Sequence, residues 1–465
     1  MSYVQALLQA LRPAFSRQAT FAWFVVAFAG FVTRYDVYGV SSIVRALGLA
    51  PSLYPCLLNL FHSSAWSLEN LRIYWWQWLH QQPVIEYVAG RIVLVGDHTK
   101  QPKEARKMPE VSTMHQDSET SSKPTFFRGH HWACLGLLGQ AAHKRFALPL
   151  WAEIHPEASQ DSRATRLVQV AGQISGHLKT PAFLVLDAFF AVGSVFRTAA
   201  TFGDRLHILT RAKKNVVAFK PPPLPRKHQR GRHRTYGRKL KLMSLFDACS
   251  PAFLKTEAIV YQKKEIIRYL TLDLIWKPIS GRLRFFLIET SRGRIILMTS
   301  DFNLDALTAL QLYCRRISIE TLFDSLKNLL GGLAYHFWSK YLEPVSRRPS
   351  RNSTLTSKSS RPEKTKNTLE AIEKFLSLQL IVLGTLQLLA ANFGSEITQQ
   401  ANCWLRTPCG AIPSAFVTRT ALANLIRTNI RNPCHPWFPP EADPPMAGTL
   451  SEELSSSRSR SPPTI

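Results

Sequence analysis

The sequence predicts an α/β core with an antiparallel β insertion, flanked by helical N- and C-terminal regions. Three observations carry this. Residues 91–210 alternate short, β-branched apolar runs with amphipathic stretches of helical spacing. Residues 256–300 switch to period-two alternation, broken at Ser280-Gly281 and Arg292-Gly293 as the turns of antiparallel strands would be. Residues 1–80 and 369–430 read as helices.

In chain order, Val4–Leu11 is amphipathic and Ala19–Val32 is apolar enough to be a buried helix. Gly39–Leu49 has Ser caps and helical spacing, and Tyr54–Phe61 and Leu68–Leu79 continue the helices. The pattern then changes. Arg91–Gly96 (RIVLVG) reads as a buried strand with Asp97 just past its end, followed by Lys100, Lys103, Arg106, Lys107 and a polar loop. His130–Gly139 and Phe146–Ile154 are further strands and Ala164–Leu178 is an amphipathic helix. Phe183–Leu186 is a buried strand ended by Asp187, Phe189–Thr201 a helix, and Leu206–Thr210 a fifth strand. This β-β-β-α-β-α-β order is that of a ribonuclease-H-like fold, whose first and fourth strands lie side by side. It would bring Asp97 and Asp187 together at strand ends, where ligands collect in α/β sheets. An aspartate after a strand is also a common turn or cap residue.

Lys213–Lys241 is the most basic stretch. Pro221-Pro222-Pro223-Leu224-Pro225 makes a stiff extended bridge, and Arg226 to Lys241 then carries eight Lys/Arg and no acid. This reads as a phosphate-tracking arm, with Arg230, Arg232, Arg234, Arg238, Lys239 and Lys241 on DNA and Tyr236 available to stack or pack. A solvated basic loop is the alternative. Beyond the insertion, Glu343–Thr368 reads as a basic linker. Leu369–Ala391 is a long apolar helix, Ala415–Ile430 a shorter one, and Asn432–Ile465 a Pro/Ser-rich disordered tail.

Composition narrows the partners. In 465 residues, 58 Lys+Arg exceed 31 Asp+Glu by 27, giving a pI near 10.1, and the excess is spread along the chain. A polyanion, with nucleic acid first, is the expected partner. Seven scattered cysteines read as reduced thiols of a cytoplasmic protein. Cys403, Cys409, Cys434 and His435 contain no C-x2-C pair to favour zinc. Ala19–Val32 is short for a membrane span and Leu376–Ala391 holds two Gln, so no membrane partner is expected.

Tyr313–Lys327 (YCRRISIETLFDSLK) follows the insertion. On a continuous helix with Tyr313 at zero, Arg316, Glu320 and Lys327 fall near 300°, 340° and 320°. Leu322, Phe323, Leu326, Leu329 and Leu330 form a neighbouring apolar stripe at about 160–280°. Such a helix would dock on a core while presenting a phenol, a guanidinium, a carboxylate and an ammonium along one edge. An ordinary amphipathic surface helix with i,i+4 charge pairs fits the same pattern.

The spacing Y-x2-R-x3-E-x6-K resembles the Y-R-E-K signature of bacterial insertion-sequence transposases with a D-D-E catalytic triad. All four positions match, as Tyr313, Arg316, Glu320 and Lys327, over a resemblance spanning about residues 85–340. The resemblance implies a first aspartate at the end of a buried strand and a second after a later strand, which Asp97 and Asp187 supply. It implies that Asp97, Asp187 and Glu320 hold two Mg²⁺ ions, with Mn²⁺ able to substitute. Asp324 is the rival carboxylate, outside the signature spacing, and His98 would orient Asp97. Arg316 and Lys327 would hold phosphates and Tyr313 would meet a phosphate or sugar. Trp276, the insertion's only tryptophan, would stabilise a flipped base or pack in the core.

The implied activity is cleavage at the ends of a mobile element and transfer of its 3′ ends to target DNA, the implied partners being terminal inverted repeats, target DNA and a second copy in a synaptic homodimer in the bacterial nucleoid. The expected organisation is a helical terminal-repeat-binding domain (1–80) and a catalytic core (85–217 and 301–345). The core is split by the arm and insertion (218–300), and a linker with C-terminal helices (346–430) and a tail (431–465) follow. An inactive DNA-binding derivative and a structure-selective nuclease on the same fold are the alternative functions.

Overall fold

The computed structural model describes residues 1–116, 125–155, 162–223, 233–261, 263–345, 359–401 and 412–430. Arg230, Arg232, the 431–465 tail and the Cys403, Cys409, Cys434, His435 set lie outside them.

Five helices open the chain: α1 (Ser2–Leu11), α2 (Gln18–Thr33), α3 (Ser41–Leu47), α4 (Tyr54–His62) and α5 (Leu68–His80). Strands β1 (Tyr87–Val88), β2 (Arg91–Pro102), β3 (Ser112–His115), β4 (Phe126–Ala141) and β5 (Lys144–Ile154) follow. Then come α6 (Arg163–Leu178), β6 (Ala182–Leu186), α7 (Gly193–Ala200), β7 (Leu206–Arg211), β8 (Val217–Phe219), β9 (Lys239–Lys241) and α8 (Leu245–Ala248). Strands β10 (Leu254–Val260), β11 (Lys263–Trp276), β12 (Gly281–Thr290) and β13 (Gly293–Thr299) lead to α9 (Ala306–Arg315) and α10 (Ser318–Asp324). Helices α11 (Pro362–Asn392), α12 (Gly394–Ala401) and α13 (Ala415–Ile430) end the described chain.

The strands form one mixed, mostly antiparallel sheet in the order β3-β4-β2-β6-β7-β13-β12-β11-β8-β9, with β5 on β4, β1 on β2 and β10 on β11. Only β2, β6 and β7 run parallel, and they are its centre. All five β6 residues are buried, as are Ile92–Gly96 of β2, because helices and neighbouring strands cover both faces. The expected neighbouring of the 91–96 and 183–186 strands is therefore found. The antiparallel insertion extends the same sheet, β13 pairing with β7 through Thr299↔Leu209 to Leu297↔Arg211.

Two sequence expectations are corrected. Asp97 does not end its strand: β2 continues to Pro102 because β4 keeps pairing with it as far as Gly129. What ends just before Asp97 is the parallel pairing with β6, whose last rung is Val95↔Val185. Asp97 and Asp187 thus each stand two residues beyond the same rung. The second correction concerns Tyr313–Lys327, which is not one regular helix. α9 stops at Arg315, a tighter turn passes through Arg316 and Ile317 (the Glu320 amide donates to the Ile317 carbonyl at 3.0 Å), and α10 gives way to a π turn at Ser325–Leu329. No proline or glycine dictates the break. The glycine is at the far end, where Gly331 adopts φ +64° and a Cβ would stand 2.3 Å from Val37 Cβ.

That end is tied to the helical layer. The fully buried Arg34 donates to the Leu330 carbonyl (2.5 Å), Gln379 Oε1 (2.9 Å) and Ser42 Oγ (2.9 Å), joining the π turn, α11 and α3. Helix α11 is long and apolar enough to cross a membrane, and 83% of its apolar window is buried in the protein. It packs against β5, α4 and α2.

Candidate active site

The site begins with the alternation of β2. Asp97 and Thr99 point to one face of the strand, since side chains repeat every two residues, and α9–α10 lies across that face. Arg316 reaches down from the α9–α10 joint: its Nη1 donates to Asp97 Oδ2 at 3.1 Å and its Nη2 to Glu320 Oε1 at 2.8 Å. Lys327 Nζ, in the π turn, donates to Thr99 Oγ1 at 2.6 Å. The signature residues are therefore registered on β2, Arg316 against Asp97 and Lys327 against Thr99. α9 is fixed upstream by Asp305, whose Oδ1 caps the Leu307 and Thr308 amides at 2.9 and 3.0 Å.

Asp187 holds its own loop, its Oδ1 accepting from the Phe189 amide at 3.0 Å. The Asp97 carboxyl feels the other two carboxylates. Burial, then the nearby charges of Asp187 and Glu320, push the Asp97 carboxyl up to about 6, against the lowering effects of the His98 amide and Arg316. Arg316 is itself held above its ordinary value: burial opposes its charge, but Asp97 and Glu320 outweigh it. Glu320 is the most exposed of the group, at 54%, against 22% for Asp97 and 16% for Arg316.

Neighbouring residues fall into place around this centre. His98 orients Asp97, but through its backbone: the amide donates to Asp97 Oδ1 at 2.7 Å. Its ring turns away to His131 (4.9 Å between centroids) and Phe190 (5.0 Å), and burial pulls its basicity down to about 4. Asp324 accepts from Asn328 at 2.7 Å along its own helix and does not enter the electrostatics of Asp97. Tyr313 is half-buried and precedes Arg316 by one helical turn.

Other expected DNA contacts are not brought to this centre. Of the two places open to Trp276, the structure has the core: it is 7% exposed and packs edge-on against Phe196 at 5.6 Å. Lys239 and Lys241 belong to β9, the outer strand beyond β8, with Arg234 and Arg238 exposed just before it. Seven strand spacings separate β9 from β2, on the order of 30 Å across the sheet. Charged residues on an edge strand also keep other strands from pairing with it. Tyr236 packs on Phe219 at 5.1 Å. Thr99 was missed, although the i,i+2 relation to Asp97 on a strand would have indicated it.

Among the described residues, no three His, Cys, Asp or Glu side chains stand close enough together to hold a metal ion as they are. The donor set nevertheless fits a hard divalent cation. It consists of carboxylate oxygens, those of Asp97 and Asp187 two residues beyond one parallel rung, and the Arg316 cation sits between Asp97 and Glu320.

A family model described as DDE superfamily endonuclease matches residues 10–266. The match includes Asp97 and Asp187 and ends before Glu320. No curated protein matches. Among solved structures, the chain is similar to the piggyBac transposase synaptic complex with hairpin DNA, at 11% identity and TM-score 0.34, over 97% of this chain and 78% of that one. It is also similar to the NurA nuclease from Sulfolobus solfataricus, at 8% identity and TM-score 0.22, over 58% of this chain and 86% of that one.

Proposed function

Because the chain belongs to the DDE superfamily endonucleases, we propose that it is a D-D-E transposase of the Y-R-E-K type. In this reading it cuts the ends of a bacterial insertion sequence and joins the 3′ ends to target DNA. The observation that carries the reading is Arg316 bridging Asp97 and Glu320, which joins the third carboxylate to the first. The central order β5-β4-β2-β6-β7 supports a ribonuclease-H-like core.

Asp97, Asp187 and Glu320 would hold two Mg²⁺ ions, which supply activation of water or a 3′-hydroxyl and stabilisation of the departing oxygen. The protein's own groups do the rest. The His98 amide fixes one oxygen of Asp97, leaving the other toward Arg316 and the opening. Arg316 keeps Glu320 turned to β2, and its planar fork suits a phosphate as well as a carboxylate. Lys327, held at Thr99, sets a second cation on the same face, so a DNA strand lying along β2 meets positive charge on both sides of the carboxylates. Burial of Leu322, Phe323 and Leu326 keeps Glu320 from turning away.

The partners in this reading are element ends and target DNA, with a second copy in the synaptic complex. The test is Glu320→Ala, which abolishes Mg²⁺-dependent cleavage while leaving binding of end DNA largely intact. Full cleavage by that variant would sink the assignment. The family description of an endonuclease favours one second reading, a nuclease that cuts without joining. Covalently joined donor and target strands separate the two.

A further inference from the structure

Behind the α9–α10 joint, on the side away from Asp97, lies a cleft of about 530 Å³. Its walls come from the β4–β5 hairpin tip, the β10–β11 tip, the β12–β13 turn, the joint itself and α11. Lys144, Arg145, Arg292 and Arg315 line it, and among the described residues no carboxylate does. Glu86, behind the wall, accepts from Arg315 at 2.5 Å and Arg145 at 3.4 Å, but it cannot neutralise all four cations. Arg292 lies over the Tyr261 ring at 4.2 Å, so a flat cation and an aromatic face are already stacked at the mouth. Ile317 stands on the same wall, half exposed.

Two buried polar atoms in this wall have no hydrogen-bond partner among the described residues: Ser318 Oγ, in a residue only 8% exposed, and Gln387 Oε1. Buried hydroxyls and amides left unpaired are costly, but both atoms are closed to solvent as they stand, so the surface offered to the cleft is that of its other lining groups. The cleft therefore offers cations, a stacking face and an apolar side chain in a volume of ligand size. That suits a nucleotide, which has a phosphate and a flat base.

We infer that this cleft holds a nucleotide of a DNA strand, at a site separate from the catalytic carboxylates. The inference rests on the DNA-cutting reading. The position gives it a role: Ile317 and Ser318 line the cleft while Arg316 and Glu320, on either side of them in sequence, face β2. A strand seated here would press on the joint that sets Arg316 and Glu320.

The test uses the full-length protein in EDTA and a fluorescent single-stranded 12-mer followed by anisotropy. The double variant Lys144→Glu/Arg292→Glu changes two exposed side chains, and Lys214→Glu, an exposed cation elsewhere, is the control. The double variant should bind roughly tenfold more weakly, with a salt slope shallower by about 1.4, as expected for two lost phosphate contacts on a single strand. The control should bind like the parent. Excess dAMP should compete and equimolar inorganic phosphate should not. Ultraviolet cross-linking of a 5-iodouracil 12-mer should label the peptide containing Tyr261. Unchanged affinity of the double variant overturns this inference, and leaves the DNA-cutting reading standing if the parent still nicks DNA with Mg²⁺. Equal competition by phosphate overturns the nucleotide assignment in favour of a bare anion site. A parent protein that neither binds nor nicks DNA overturns both.

Discussion

Asp97→Asn should make the metal-free protein more stable, not less. Folding raises the Asp97 carboxyl from 3.8 to about 6, with burial as the main cause. A folded-state value above the unfolded one means that the folded protein binds the proton more tightly. The ionised residue therefore costs stability above pH 6, and the cost disappears as pH falls toward 4. About two pH units correspond to roughly 3 kcal/mol, an upper figure for a side chain 22% exposed. Asparagine removes the charge and keeps one acceptor oxygen, enough for the His98 amide or Arg316 but not for both, which trims the gain. Unfolding entropy of about 2.1 cal/mol/K per residue makes 1 kcal/mol worth about one degree in a chain of this length. The variant should melt about 1–3 °C above the parent at pH 8 in EDTA and level with it once the pH is below about 3.5. Mg²⁺ at a thousand times its Kd should reverse the order at pH 8, since it adds about 4.1 kcal/mol to the parent alone. An Asp97→Asn protein that melts at or below the parent temperature at pH 8 in EDTA would refute the reasoning.

Other substitutions probe the supports of the site. Arg316→Gln removes the cation between Asp97 and Glu320 and should lower cleavage at saturating Mg²⁺ by about a hundredfold or more, as loss of a preorganised charge stabiliser does, measured by single-turnover nicking. Gly331→Ala forces a side chain into a left-handed backbone and onto Val37, and should cost 1–3 kcal/mol by the strain alone, read as a lowered melting temperature. Trp276→Ala should lose about 3–5 kcal/mol of stability because the ring is a core element, with any loss of DNA cleavage tracking the unfolded fraction. Cleavage by Trp276→Phe should remain near the parent level.

Much of the core was readable because its signals are local. The buried runs Arg91–Gly96 and Phe183–Leu186 could pair only at the centre of a sheet, and the aspartate two residues past their common rung is set by strand periodicity. Glu320 was readable from a four-residue spacing to Arg316, which the structure uses as an i,i+4 ion pair. The rest depended on partners distant in sequence. β2 runs past Asp97 because β4 pairs with it, and nothing in RIVLVGD announces that. The break at Arg316–Ile317 has no breaker residue and coincides with Arg316 turning to Asp97, 219 positions away. The 239–241 segment looked like a free arm by charge, yet Val217–Phe219 gives it a strand to pair with. Trp276 could be placed on a base or in the core until Phe196 was found against it. The cleft behind α9–α10 is assembled from five separate elements, and no window of the sequence contains it.

Iron-directed backbone cleavage tests most directly whether Asp97, Asp187 and Glu320 hold one metal centre. Fe²⁺ replaces Mg²⁺ in the full-length protein, ascorbate and peroxide generate hydroxyl radicals at the bound ion, and mass spectrometry locates the cuts. Cuts clustered at β2 near residue 97, after β6 near 187 and in α10 near 320 are predicted, suppressed by excess Mg²⁺ and lost in Glu320→Ala. Cuts that omit one of these three segments, or that persist under excess Mg²⁺, would contradict a shared site.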